Sequence, residues 1–247
     1  MAHRGLSAAV TGGPHDENSL AAFARAVAAG ATHLETDVRV TSDGVALAFH
    51  DAVLDRVTDA RGIVARRPWS RVREARIGGA EPIPTLEDVL GEFPEAVVNI
   101  DVKSDAGVAP TLAALDRTQA HDRVCLAAFS DRRLARLRAA LPDVRTAMGP
   151  YEVTRLFADS RYGSFYGLAS VLPRGRGVVA QVPRRAGVLR VVDKRFVRAA
   201  HEMGVDVQVW TVNDPSHMVQ LLALGVDGLI TDRVDLALQV VRNRAAA

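Results

Sequence analysis

The stretch Leu34-Glu35-Thr36-Asp37-Val38-Arg39-Val40-Thr41-Ser42-Asp43-Gly44-Val45-Ala46-Leu47-Ala48-Phe49-His50-Asp51 sets two apolar-rich runs on either side of Asp43-Gly44. Asp-Gly between such runs is a strong signal for a tight hairpin turn. With those two residues as the turn, Ser42 pairs with Val45, and the register carried outward predicts Asp37 opposite His50. A slip of one residue would set His50 opposite Thr36. Side chains alternate along a strand, so Glu35 and Asp37 project from one face. Two carboxylates on one face repel each other, and either a cation joins them or one keeps its proton. A hard divalent ion, Mg²⁺ or Ca²⁺, is the simplest resolution, because oxygen donors suit it.

Outward from this hairpin, short β-branched runs alternate with Ala/Leu/Arg-rich stretches of helical period. Strands are predicted over 32–40, 45–49, 97–102, 124–129, 144–148, 178–182, 205–212 and 228–231. Helices are predicted over 18–29, 85–91, 108–120, 131–141, 151–162, 193–203, 215–224 and 234–242. Ser130-Asp131 and Asn213-Asp214-Pro215 supply helix starts, and Gly30, Gly204 and Gly225 fit helix ends. The alternation suits a single α/β domain over residues 1–247, a TIM-type (β/α)₈ barrel. A doubly wound open sheet is the alternative. It would call for a Gly-rich phosphate loop, and neither GxGxxG nor GxxxxGK[ST] occurs; Gly12-Gly13 runs into Pro14. The polar, Arg-rich segment 51–84 breaks the alternation and reads as a small insertion over the barrel mouth. The Gly/Pro-rich stretch 163–190 is a second candidate for covering a site.

The C-terminal ends of barrel strands form the active-site face. Val97-Val98-Asn99-Ile100-Asp101-Val102-Lys103 interrupts an apolar strand near its end with an acid and a lysine. Asp101 is thus a third candidate metal ligand, with Lys103 facing the same mouth. His3-Arg4-Gly5 reads either as an inert terminal histidine or as an acid/base group beside a phosphate-binding cation.

Composition narrows the classes. A net charge of +2 and 5% aromatic residues give no footprint for nucleic acid. No apolar run reaches the ~20 residues of a membrane span, so no transmembrane segment and a cytoplasmic location are expected. That location is provisional, since a signal peptide could precede an upstream start. The lone Cys125 excludes an internal disulfide and a cysteine-based zinc cluster, and its apolar run marks it as a buried small hydrophobe. His15, His33, His121, His201 and His217 show no acid-partner pattern and receive no role. Trp69 reads as a packing anchor of the insertion.

These segments together resemble the glycerophosphodiester phosphodiesterase family. The matching pieces are His3-Arg4-Gly5, Glu17-Asn18-Ser19, Glu35-Thr36-Asp37-Val38, His50-Asp51, Leu54-Asp55-Arg56, Pro84-Thr85-Leu86-Glu87, Asn99-Ile100-Asp101-Val102-Lys103, Trp210-Thr211-Val212-Asn213 and Gly225-Val226-Asp227-Gly228-Leu229-Ile230-Thr231-Asp232. Their order and spacing follow the family's along nearly the whole chain. The resemblance implies a barrel with a small insertion after the second strand. It implies hydrolysis of a small glycerophosphodiester to glycerol 3-phosphate and an alcohol, with one divalent ion on Glu35, Asp37 and Asp101. It further implies His3 and His50 as the acid/base pair, Arg4 and Lys103 at the phosphate, and Trp210 against the glycerol. Competing readings are a lysophospholipase D-like enzyme, a silent phosphate-binding barrel and a sugar isomerase barrel; the last leaves the His/acid set unexplained.

Three departures from the family pattern stand out. Ser19 replaces a threonine, Asp101 replaces a frequent glutamate, and only Met1 and Ala2 precede His3 where an apolar first strand belongs. The expectation is a truncated first strand, an open seam in the barrel, and a natural start upstream of Met1 with roughly five or more apolar residues.

Overall fold

The structure, a computed structural model, describes residues 1–13, 15–163 and 178–245. Pro14 and residues 164–177, half of the 163–190 stretch, therefore lie outside the described residues. In chain order the elements are β1 (Ala2–His3), α1 (Leu20–Ala28), β2 (His33–Val40), β3 (Ala46–Ala48), α2 (Trp69–Val72), β4 (Arg76–Ile77), β5 (Glu81–Pro82), α3 (Leu86–Glu92), β6 (Val97–Val102), α4 (Val108–Thr118), β7 (Val124–Ala127), α5 (Asp131–Ala140), β8 (Arg145–Ala147), α6 (Pro150–Tyr162), β9 (Val178–Pro183), β10 (Arg185–Ala186), β11 (Leu189–Arg190), α7 (Lys194–Glu202), β12 (Asp206–Trp210), α8 (Pro215–Ala223), β13 (Gly228–Leu229) and α9 (Val234–Ala245). Among the described residues, none of these helices is long and apolar enough to cross a membrane.

The main sheet runs β1-β2-β6-β7-β8-β9-β12-β13, every neighbouring pair parallel. A parallel bridge from Ala2 to Thr231 joins its two ends, which gives the TIM-type ring. The outward faces of the strands bury apolar side chains under the helices. Val98, Ile100 and Val102 meet Leu86, Leu90 and Leu115, and on the far side Val207 and Val209 meet Phe196 and Met218. Each such side chain contributes ~1.5–3 kcal/mol by leaving water. Helix starts follow the sequence signals: the side chains of Ser130 and Asp214 cap α5 and α8, and Pro215 opens the latter. Thr85 and Asp88 form a reciprocal capping box at α3.

Two expectations need correction. The hairpin register is one residue away from that expected: Val38 faces Ala48 and Val40 faces Ala46, so Asp37 lies opposite Phe49, not His50. The cause is the turn. Thr41 pairs with Val45 across a three-residue loop, with Gly44 at φ 87° in the left-handed conformation. The first strand is indeed only two residues long, but it leaves no open seam. Ala2 and His3 pair with Leu34 and Glu35, His3 N donates to Thr231 O at 2.9 Å, and Thr231 N donates to Met1 O at 3.2 Å.

Segment 51–84 builds a satellite core in which Leu54, Val57, Val64, Val72, Ile77 and Ile83 pack on Leu47 and Phe49, with Trp69 at its margin. This core fixes the segment's polar side chains beside the C-terminal ends of β2 and β3.

Candidate active site

Every residue singled out in the sequence as a site candidate lines one cavity of about 340 Å³ at the strand ends: His3, Arg4, Glu35, Asp37, His50, Asp101, Lys103 and Trp210. Glu35 and Asp37 point inward from β2 and Asp101 from β6, all three buried, as strand alternation requires. Arg4 and Asn18 sit in left-handed backbone at φ 54° and 60°, the kind of local strain that gathers at functional sites. The two turns brace each other, Asn18 N donating to Arg4 O at 2.9 Å.

Both histidines rest on a carboxylate. His3 Nδ1 lies 2.6 Å from Asp232 Oδ1, and Asp232 is pinned in turn by the Asn213 side chain. His50 Nδ1 lies 2.6 Å from Asp51 Oδ1. Such a partner fixes the ring and its tautomer and leaves Nε2 for chemistry. Burial alone would make His3 harder to protonate, but the Asp232 hydrogen bond and the Glu35 charge outweigh it and raise its pKa.

The acids and cations interleave. Lys103 Nζ sits 2.7 Å from Asp37 Oδ1 and 2.6 Å from Asp101 Oδ2, and Arg4 Nε is 3.0 Å from Asp37 Oδ2. Burial would raise the Asp37 pKa; Lys103 and Arg4 overcome it and hold it below the usual range. Glu35 has no such cation in hydrogen-bond contact. Burial, with the nearby Asp37 charge, pushes its carboxyl up to about 7. Burial also raises Asp101, against the pull of Lys103, and its Oδ1 is buried without a hydrogen-bond partner. Oxygen-only donors and an orphaned buried carboxylate oxygen suit a hard cation. As arranged, Lys103 occupies the space between two of the acids. Among the described residues no three histidine, cysteine or carboxylate side chains converge closely enough to hold a metal ion.

The opposite wall is apolar. Phe129, 67% exposed, meets Trp210 edge-on with ring centroids 5.8 Å apart, and Met148, Val153 and Pro183 complete that side. Sequence reasoning gave no role to Phe129, Asp51 or Asp232. The two acids stood inside quoted motifs, and Phe129 stood directly before the Ser130 cap. Two histidines left without an acid partner do have one: His121 reaches Asp116 at 3.0 Å and His201 reaches Asp227 at 2.8 Å. Neither histidine lines the cavity.

A closed barrel with two carboxylate-backed imidazoles and fixed cations at its C-terminal mouth has the build of an enzyme site. The family model described as the Glycerophosphoryl diester phosphodiesterase family matches residues 3–236. A Mycobacterium tuberculosis protein named "Probable glycerophosphodiester phosphodiesterase 2" is 39% identical over 242 residues, covering 98% of this chain and 89% of that one. The "Glycerophosphodiester phosphodiesterase" of Bacillus altitudinis is 28% identical, covering 97% and 96%. Among solved structures, an Oleispira antarctica phosphodiesterase in complex with the product sn-glycerol-3-phosphate superposes with a TM-score of 0.78 at 21% identity, covering 98% and 95% of the two chains. The chain belongs to the glycerophosphoryl diester phosphodiesterase family, whose members are phosphoric diester hydrolases.

Proposed function

We propose that this enzyme hydrolyses small glycerophosphodiesters to glycerol 3-phosphate and an alcohol, with His3 and His50 as its acid/base pair. The observation that carries this reading is the pair of imidazoles, each backed by a carboxylate at 2.6 Å, opening on one cavity with Arg4 and Lys103. Arg4 and Lys103 bind the phosphate oxygens and balance the negative charge that grows on them in the transition state. One imidazole accepts the proton of the attacking water. The other donates a proton to the alkoxide as the phosphorus–oxygen bond breaks, so one ring enters neutral and the other charged. Trp210 and Phe129 give the carbon skeleton of the glycerol an apolar wall and keep bulk water off that side.

One Mg²⁺ or Ca²⁺ would be held by Glu35, Asp37 and Asp101. When bound, it would supply charge neutralisation at the phosphoryl group. The test is release of glycerol 3-phosphate from glycerophosphocholine and glycerophosphoethanolamine, with and without EDTA. Full turnover after exhaustive chelation counts against the metal; no release from any glycerophosphodiester counts against the reaction.

A lysophospholipase D-like reading is favoured by one observation, the exposed Phe129 lining the cavity, which offers an acyl chain apolar contact. A higher kcat/KM on lysophosphatidylcholine than on glycerophosphocholine would favour it.

A further inference from the structure

The insertion is more than a cover, and Arg56 shows what it does. We propose that Arg56 is a positioning residue that couples the two halves of the site, fixing His50 through Asp51 and Arg4 through Glu17. Its guanidinium forks both ways. Nε and Nη2 donate to Asp51 Oδ2 and Oδ1 at 2.6 and 3.0 Å. Nη1 and Nη2 donate to Glu17 Oε2 and Oε1 at 3.0 and 2.7 Å. Behind Asp51 stands His50 at 2.6 Å, and Glu17 Oε1 accepts Arg4 Nη1 at 2.8 Å. A continuous chain His50–Asp51–Arg56–Glu17–Arg4 therefore runs round the mouth. Arg56 itself does not line the cavity and leaves 45% of its side chain exposed.

The two histidines need different supports. Asp232 is held by Asn213 and directly follows Thr231, which closes the ring, so His3 is braced by the barrel. His50 and Asp51 lie beyond the end of β3, on a loop, and among the described residues the side chain that holds Asp51 from the side away from His50 is Arg56. The backbone under Arg56 is firm because Leu54 and Val57 on either side are buried in the satellite core. Only a planar fork engages two carboxylates bidentately at once; a lysine brings one point charge.

This inference rests on the proposed roles of His50 and Arg4, so the experiment separates the two. In saturating Mg²⁺, kcat on glycerophosphocholine reads the His50 half, and the dissociation constant of glycerol 3-phosphate reads the Arg4 half. Asp51→Asn should lower kcat ~10-fold or more with product affinity nearly kept, since acid/base groups supply ~10²–10⁴-fold and depend on their orientation. Glu17→Gln should weaken product binding several-fold with a smaller change in kcat. Arg56→Gln should do both, and Arg56→Lys should restore only part of either. In an Asp51→Asn background Arg56→Gln should cost no further kcat, and in a Glu17→Gln background no further affinity. Melting temperatures should stay within ~3 °C of the parent, because exposed ion pairs stabilise little. The coupling is overturned if Arg56→Gln leaves both readouts unchanged while His50→Ala and Arg4→Gln are defective, or if its effects simply add in both backgrounds. Normal activity in His50→Ala or Arg4→Gln would instead overturn the functional reading, and the coupling with it.

Discussion

Gly5 turns the chain between the His3-Arg4 pair and α1, at φ 84°. A Cβ built there meets the backbone carbon of Ala22 at 2.7 Å, its oxygen at 2.9 Å and its Cβ at 2.9 Å. Gly44, in the β2–β3 turn, has nearly the same φ of 87° and nothing within 4 Å of its Cβ. The two alanine substitutions thus share a conformational cost and differ in packing. Left-handed backbone costs a non-glycine residue roughly 1–2 kcal/mol. Overpacking against buried backbone adds about 1–3 kcal/mol. Gly44→Ala should therefore lose roughly 1–2 kcal/mol and Gly5→Ala about 2–5 kcal/mol, the sum of those costs. At ~2–4 °C per kcal/mol for a chain of this size, mid-range values are roughly 5 °C and 10 °C. The difference extends to chemistry. Ala22 is fully buried in α1, so the clash is relieved by moving the His3-Arg4-Gly5 turn, which carries the His3 imidazole and the Arg4 guanidinium into the cavity. Displacements of about 1 Å cost rates of order 10²-fold. Thermal melts and turnover of glycerophosphocholine, side by side for both variants, measure this. If Gly5→Ala melts within a degree of Gly44→Ala and turns over at the parent rate, the close approach to α1 does not govern the turn.

Asp232→Asn, which keeps the hydrogen-bonded shape but loses the charge behind His3, should lower kcat by ~10²-fold or more in steady-state kinetics, with a much smaller change in KM. The Glu35 carboxyl, raised to about 7 from an ordinary 4.5, makes the folded form take up a proton in that interval. That stabilising contribution is greatest towards pH 5 and is lost as pH rises through 7. In EDTA, the melting temperature of Glu35→Gln relative to the parent should therefore climb between pH 5 and 8; parallel curves would refute the burial argument. The Cys125 thiol, pushed up to about 12 by burial, should resist iodoacetamide at pH 8 for as long as the native fold persists, as followed by intact mass.

Local pattern carried much of this architecture. Period-two alternation was enough to put Glu35 and Asp37 on one face, and the acid at the end of an apolar strand located Asp101. The capping residues Ser130 and Asp214 marked helix starts to within a residue. The hairpin was read one step out of register because Asp43-Gly44 allows both a two-residue and a three-residue loop. Only the left-handed Gly44 opposite no partner distinguishes them, and that conformation is settled by the strand pairing itself. The carboxylates behind the two histidines were not legible as supports. Asp232 is 229 positions from His3, and no spacing rule reaches across a ring closure. Lys103 was placed at the mouth by its strand position, but its seat between Asp37 and Asp101 depends on side-chain reach, which no periodicity describes. The short first strand was read as a gap because typical strand length was weighed without the hydrogen bonds that two residues make on both sides.

That closure has a bearing on how the protein comes into being. The bridge between Ala2 and Thr231 joins segments from opposite ends of the described chain, so it is among the least local contacts in the molecule and carries a large loop-closure cost. His3 has its carboxylate partner only once that seam is made. A partly folded chain, or a nascent one with β13 still unsynthesised, holds most of the site and none of the His3 support. If His3 acts as proposed, hydrolytic competence requires that closure, and turnover then reports the fraction of molecules whose ring is complete.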